Sequence, residues 1–174
     1  MRNMVGTGQE FPDWVTLTGV DSNNEFVEVD FSARELRWKV VYFYPKDFTF
    51  ICPTEIAAMD KIALETDAHV IGISGDNEFC KLAWKNDNDM IANINHTLAA
   101  DCGNILADDL GIVSDENVPY RATYIVDEMN WILHVSVNVL DTGRNADEVL
   151  RTYKALRAGG LTGCSWQEGD EFVA

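Results

Sequence analysis

Pro45-Lys46-Asp47-Phe48-Thr49-Phe50-Ile51-Cys52 follows directly on the apolar run Val40-Val41-Tyr42-Phe43-Tyr44 and leads into Pro53-Thr54-Glu55. That order reads as a buried strand, a short turn, and a helix that begins at the cysteine. Proline suits a helix start, where its missing N–H would have no partner in any case. Free backbone N–H groups and the positive end of the helix dipole favour a thiolate over a thiol at such a position. Beyond Cys52, the residues Ile56, Met59 and Ala63 recur with the stripe of an amphipathic helix. Val70-Ile71-Gly72-Ile73 then reads as a second buried strand, followed by a helix with Phe79, Leu82 and Ala83 on its apolar face.

The flanks extend this pattern. Phe26 to Phe31 alternates as a half-wet strand, and the Ser-x-x-Glu of Ser32 to Glu35 has the form of a capping box with a short helical turn behind it. Residues from Gln9 to Leu17 look turn-like. Leu98-Ala99-Ala100 reads as a short strand, and Gly103 to Leu110 as a helix closed by Gly111. Ala122 to Val126 and Trp131 to Val137 form a hairpin across Asp127 to Asn130. A last helix starts at Asn145, carries Ala146, Val149, Leu150, Tyr153 and Leu156, and ends at Gly159-Gly160. Strands alternating with helices, then a hairpin and a terminal helix, make an α/β layered domain. Residues 1–158 are read as that domain and 159–174 as a tail. Trp84 and Trp131 are expected in the core.

The chain of 174 residues carries 13 basic and 29 acidic side chains, a net charge of −16. Such a surface disfavours nucleic acid and anionic membranes, which are both polyanions. No apolar run approaches the roughly 20 residues a bilayer span needs. Met1-Arg2-Asn3-Met4-Val5 has no apolar segment behind it, so no leader is expected and the cytoplasm is the default location. Four scattered cysteines, Cys52, Cys80, Cys102 and Cys164, do not form a secreted disulfide framework. They do not cluster with His69, His96 or His134 at zinc-ligand spacings either, so no metal site is expected.

The stretch from Tyr44 to Ile56, with its Pro-x-x-x-Thr-x-x-Cys core, closely resembles the active-site motif of the peroxiredoxins, in particular the typical two-cysteine branch of the alkyl hydroperoxide reductase C type. The resemblance implies a thioredoxin-like fold with peroxiredoxin insertions, a central mixed sheet flanked by helices. It implies a thiol-dependent peroxidase acting on hydrogen peroxide and organic hydroperoxides, with peroxynitrite a further candidate, and no metal or bound cofactor. Cys52 is then the attacking sulfur, Thr49 the hydroxyl that bonds thiolate and peroxide, and Pro45 the shield against solvent. Val118-Pro119-Tyr120-Arg121-Ala122-Thr123 matches the setting of the family's arginine, which makes Arg121 the fixed guanidinium; Glu55 and Arg144 match a supporting pair. Cys164, in the stretch Cys164 to Asp170, matches the resolving cysteine that reaches across a homodimer. Such dimers assemble further into rings in the family. A separate dithiol protein (a thioredoxin, a flavoprotein reductase or an alkylhydroperoxidase D-type partner) would return the electrons. A thioredoxin-like disulfide reductase is the rival enzyme class, but it needs Cys-x-x-Cys, and Glu55 stands at the fourth position. A non-enzymatic holdase or redox-sensing module is the third class.

Overall fold

The computed structural model describes residues 3–174; the reading of Met1 and Arg2 as free of a leader lies outside the described residues. The first compact unit runs to Arg144 and the second is Asn145–Ala174. In the first, seven strands form one mixed sheet. They are β1 Thr16–Val20, β2 Phe26–Asp30, β3 Lys39–Phe43, β4 His69–Ser74, β5 Thr97–Ala100, β6 Arg121–Val126 and β7 Ile132–Asn138, in the order β2-β1-β5-β4-β3-β6-β7. The helices are α1 Cys52–Glu65, α2 Glu78–Asp87 and α3 Ile105–Asp109.

Strand β3 is buried along its whole length because it has neighbours on both edges: β4 pairs with it in parallel and β6 antiparallel. A strand covered on both faces needs a continuous apolar run, which Val40 to Phe43 supplies. One face of the sheet contributes Val41, Phe43, Ile71, Ile73, Ala99 and Tyr124 to a core closed by Phe11, Phe31, Leu106 and Leu110. Helix α1 packs on β4, and α2 on β5 and β1. Each fully buried aliphatic or phenyl side chain in such a core contributes about 1.5–3 kcal/mol. No helix among the described residues is long and apolar enough to cross a membrane.

Several expectations need correction. β1 lies where the sequence suggests a turn-like segment; its alternation is short and broken by Gly19. No helix follows Ser32, whose hydroxyl donates to Asp30 Oδ1 at 2.6 Å and so is spent on a turn instead of a cap. Trp131 is 43 % exposed at the hairpin, although Trp84 is buried. The largest difference is in α2. Phe79 is 65 % exposed, and the helix buries Lys81, Trp84 and Lys85. These are also one helical face by spacing, i, i+3 and i+4. The lysines tolerate burial because they have polar partners: Lys81 Nζ lies 2.6 Å from Ser74 Oγ and 3.3 Å from Asp47 Oδ1, and Lys85 Nζ donates to the Asp21 carbonyl at 2.6 Å.

A third buried ionisable group, His96, sits just before β5. Its Nδ1 is 2.7 Å from Asp60 Oδ1 and its Nε2 is 2.6 Å from Tyr42 Oη. Burial lowers the affinity of His96 for a proton; the Asp60 carboxylate opposes this and Lys85 adds to it, and the balance stays below the ordinary histidine value. The unfolded chain therefore takes up a proton near the ordinary pKa of about 6.5 while the folded chain resists it, so this group removes stability as pH falls below that value. His96→Gln keeps both hydrogen bonds without titrating. Between pH 7.5 and 5.5 the melting temperature of the wild type should fall more than that of His96→Gln, as thermal melts at each pH would read. Parallel curves would contradict a buried neutral His96.

In the second unit, helix α4 spans Ala146–Ala158. The Asn145 side chain accepts from the Glu148 N–H and Gly159 closes the helix with φ 74°, as the caps in the sequence imply. In the tail behind it, the Trp166 and Phe172 rings stack at 6.2 Å and the Arg151 guanidinium holds the Trp166 carbonyl at 2.9 Å.

Candidate active site

Cys52 is the first residue of α1, and Ile51 at the cap position offers no side-chain hydrogen bond to the helix. In the first turn Pro53 has no N–H and the N–H groups of Thr54 and Glu55 donate to the Ile51 carbonyl at 3.0 and 3.3 Å, so what the helix start brings to the sulfur is the positive end of its dipole. The loop from β3 reaches this point under constraint. Asp47 is buried, its N–H donating to Asp76 Oδ2 at 2.8 Å and its carboxylate receiving the Tyr44 hydroxyl at 2.7 Å. Phe48 is held at φ 56° with its ring 5.9 Å from that of Trp84. A bulky residue in the left-handed region costs on the order of 1–3 kcal/mol, so the loop persists only because its neighbours hold it.

Cys52 itself is 1 % exposed, and the Arg121 Nη1 donor lies 3.4 Å from its Sγ. Arg121 is at the start of β6, the strand beside β3, so sheet pairing carries it to the cysteine across 69 residues of sequence. Its Nη1 also donates to Glu55 Oε2 at 2.6 Å, and its Nε to the Leu140 carbonyl at 2.7 Å. Burial alone would weaken its hold on the proton; the hydrogen bond to Cys52 and the Glu55 carboxylate outweigh that, and the guanidinium stays charged. Glu55 is clamped from the other side by Arg144, whose backbone N–H and Nε both lie 3.0 Å from Oε1. Arg144 Nη1 donates to the Ala122 carbonyl and Thr123 Oγ1 at 3.0 Å, and Nη2 to the Phe43 carbonyl.

Cys52 and Arg121 line a cleft of about 410 Å³ together with Pro45, Thr49, Val118 and Leu140. Four of the five candidate residues thus meet in one place. The Thr49 hydroxyl donates to the Lys46 carbonyl at 2.7 Å, which leaves its oxygen lone pairs for a donor in the cleft. Cys164 is exposed and belongs to the second unit, next to Ser165 with φ 58°. All four cysteines are free thiols. The Cys80 thiol is pushed up to about 11 by burial and by the Asp47 and Asp76 carboxylates, and Cys102 is also raised, by burial and Glu78. Neither is activated. Asp47, Asp76 and Cys80 could face a common cation, but the Lys81 ammonium already compensates Asp47.

What the sequence reading missed here is the polar floor under the loop, Lys81 with Ser74 and Tyr44. Its one local signal was the i, i+3, i+4 spacing of Lys81, Trp84 and Lys85, which apolarity alone conceals.

The profile of the AhpC/TSA family matches residues 7–135 of this chain. Alkyl hydroperoxide reductase C of Mycolicibacterium smegmatis is 36 % identical over 179 residues, covering 95 % of this chain and 92 % of that protein. Peroxiredoxin-1 of Gekko japonicus is 33 % identical, covering 95 % and 88 %. Among solved structures, the reduced 2-Cys peroxiredoxin of Plasmodium vivax superimposes with a TM-score of 0.88 at 34 % identity, covering 95 % of this chain and 91 % of that one. Mycobacterium tuberculosis AhpC is similar with a TM-score of 0.80 at 33 % identity, covering 89 % and 99 %.

Proposed function

The chain belongs to the AhpC/TSA family and is a thiol-dependent peroxidase with a thioredoxin-like fold, and from that premise we propose which residues do the chemistry. Cys52 attacks one peroxide oxygen as a thiolate. The S–O bond forms as the O–O bond breaks, and the leaving oxygen departs as water or an alcohol once it has gained a proton. Cys52 is left as a sulfenic acid. The observation that carries this reading is the Arg121 guanidinium 3.4 Å from Cys52 Sγ at a helix start. A fixed cation there stabilises the sulfur anion first and the charge on the leaving oxygen next, with no reorganisation between the two. Thr49 accepts from the peroxide hydroxyl, and Pro45 closes the cleft wall beside the sulfur.

Cys164 then attacks the sulfenic sulfur, water leaves, and a Cys52–Cys164 disulfide forms. With Cys52 1 % exposed, the packed loop must open before that step. We assign the pairing to two copies in a homodimer, on which a larger ring can build. A dithiol protein of the thioredoxin, flavoprotein or alkylhydroperoxidase D type reduces the disulfide. The setting is the cytoplasm, where such reductants are supplied.

Two measurements test these roles. Cys52→Ser should abolish peroxide consumption. On a non-reducing gel after one equivalent of peroxide, the wild type should give a band at twice the chain mass that is absent from Cys164→Ser. A dimer band that survives in Cys164→Ser would assign the resolving sulfur elsewhere.

A further inference from the structure

The face of the Arg144 guanidinium opposite its in-plane hydrogen bonds is not open. Its Cζ lies 5.0 Å from the centroid of the Tyr42 ring. Tyr42 is fully buried on β3, beside Gly72 on β4 in register. A Cβ on Gly72 would meet Tyr42 Cζ and Oη at 2.5 Å, so glycine clears the floor on which the phenol lies. The ring is therefore confined between β4 and Arg144, and its free end is held by His96 Nε2 at 2.6 Å.

The direction of that hydrogen bond follows from the groups around it. Asp60 Oδ1, on α1, accepts from the Asn95 N–H at 2.6 Å, and Oδ2 accepts from Asn95 Nδ2 at 2.9 Å. Burial by itself would raise Asp60, and the hydrogen bonds from His96 and Asn95 more than offset it, so Asp60 stays a carboxylate. It can only accept; His96 Nδ1 therefore carries the proton and donates at 2.7 Å. Neutral His96 then has Nε2 as an acceptor. Burial holds the Tyr42 phenol protonated, and its O–H donates to that nitrogen. Groups facing His96 from its packed neighbours are Asp60 from α1, Tyr42 from β3 and the Lys85 charge from α2. Polarisation runs one way, from Tyr42 through His96 to Asp60, and it enriches the ring that faces the Arg144 cation. A cation over a desolvated ring is held more firmly than one over a ring in water.

Arg144 is also the outer arm of the clamp on Glu55, and Glu55 holds Arg121 at 2.6 Å. We propose that Tyr42 and His96 are positioning residues for peroxide reduction: the Asp60–His96–Tyr42 relay fixes the aromatic shelf under Arg144, and through Glu55 it sets the placement of Arg121 against Cys52. The inference rests on the roles assigned above to Cys52 and Arg121. At His96 the relay adjoins a polar cavity of about 280 Å³ also lined by Thr66, His69, Asn95 and Thr97.

The test compares Tyr42→Phe, which keeps the ring and cuts the relay, with His96→Leu, which cuts it one step later. His96→Gln is the rescue, since one amide can donate to Asp60 and accept from Tyr42. Alkylation of Cys52 by iodoacetamide, followed on the Cys52 peptide by mass spectrometry, reads the reactivity of the sulfur in its native setting without any peroxide. At pH 6, Tyr42→Phe and His96→Leu should alkylate about threefold more slowly than the wild type, a loss within what one cation–ring contact supplies. His96→Gln should match the wild type. Peroxide reduction at pH 6 should fall by the same factor. Rates equal to the wild type at pH 6, with only the melting temperature lowered, would reduce the relay to a structural role and overturn the proposal. If His96→Leu does not fold, Tyr42→Phe decides alone. Slower alkylation in the variants of a wild type that fails to consume peroxide would sink the assigned chemistry and leave the relay standing.

Discussion

Replacing Arg121 with Leu should lower the second-order rate of peroxide reduction by about 10²- to 10³-fold, the usual loss when a preorganised donor to a developing oxyanion is removed. The size follows from how much converges on one side chain. Arg121 Nη1 serves Cys52 Sγ and Glu55 Oε2 together, while Nε is tied to the Leu140 carbonyl. The in-plane bond to Leu140 prevents the guanidinium from following the sulfur, so the donor already stands where charge will appear. Arg121→Lys separates charge from geometry. A lysine keeps the positive charge but has one nitrogen in place of a rigid fork, so it cannot hold Leu140, Glu55 and the sulfur at once. It should recover part of the loss and no more. Stopped-flow kinetics on variants checked by thermal melts would measure both. A folded Arg121→Leu protein within threefold of the wild type would remove the guanidinium from the mechanism.

The second large effect concerns stability. Lys81→Met should destabilise the protein by about 3–5 kcal/mol, the cost of leaving one member of a buried ion pair without its partner. For a chain of this size that is a fall in melting temperature of roughly 6–20 °C. Both side chains of the Lys81–Asp47 pair are 0 % exposed. Burial pulls Lys81 below the ordinary lysine range and the Asp47 and Asp76 carboxylates oppose this. Without the ammonium, Asp47 retains the Tyr44 and Ser74 hydroxyls, which satisfy hydrogen bonds but supply no charge. Adding Asp47→Asn to Lys81→Met removes the stranded charge, so the double variant should be more stable than Lys81→Met alone. Denaturant titration of the wild type, the two single variants and the double variant reads this directly; strictly additive losses would mean the two groups do not depend on each other.

This pair also shows where sequence reading stopped. A lysine in the middle of an amphipathic pattern is normally assigned to solvent, and the apolar Phe79, Leu82 and Ala83 are the natural choice for the buried face of α2. The choice fails because the partners that make Lys81 tolerable, Asp47 and Ser74, come from other elements, 34 and 7 residues away. The same is true of His96, whose partners Asp60 and Tyr42 are 36 and 54 residues distant. Strand β1 escapes notice for a different reason: Thr16-Leu17-Thr18-Gly19-Val20 has only a weak alternation, and pairing with β2 and β5 supplies the rest.

Short-range signals were legible. The uninterrupted apolar run from Val40, the proline after Cys52, the Asn145 cap and the glycines at 111 and 159 each act within a few residues, where backbone sterics and hydrogen bonding decide the outcome. They were enough to place Cys52 at a helix start and to define the order of strands and helices from β2 onward. The tertiary structure alone decided which distant charges meet. Arg121 reaches Cys52 because β6 pairs with β3, and Glu55 lies between two arginines because the start of β6 and the segment after β7 both meet the first turn of α1. A buried polar group is stable only when its partner is also present, and that condition is met in space, between residues the sequence keeps far apart.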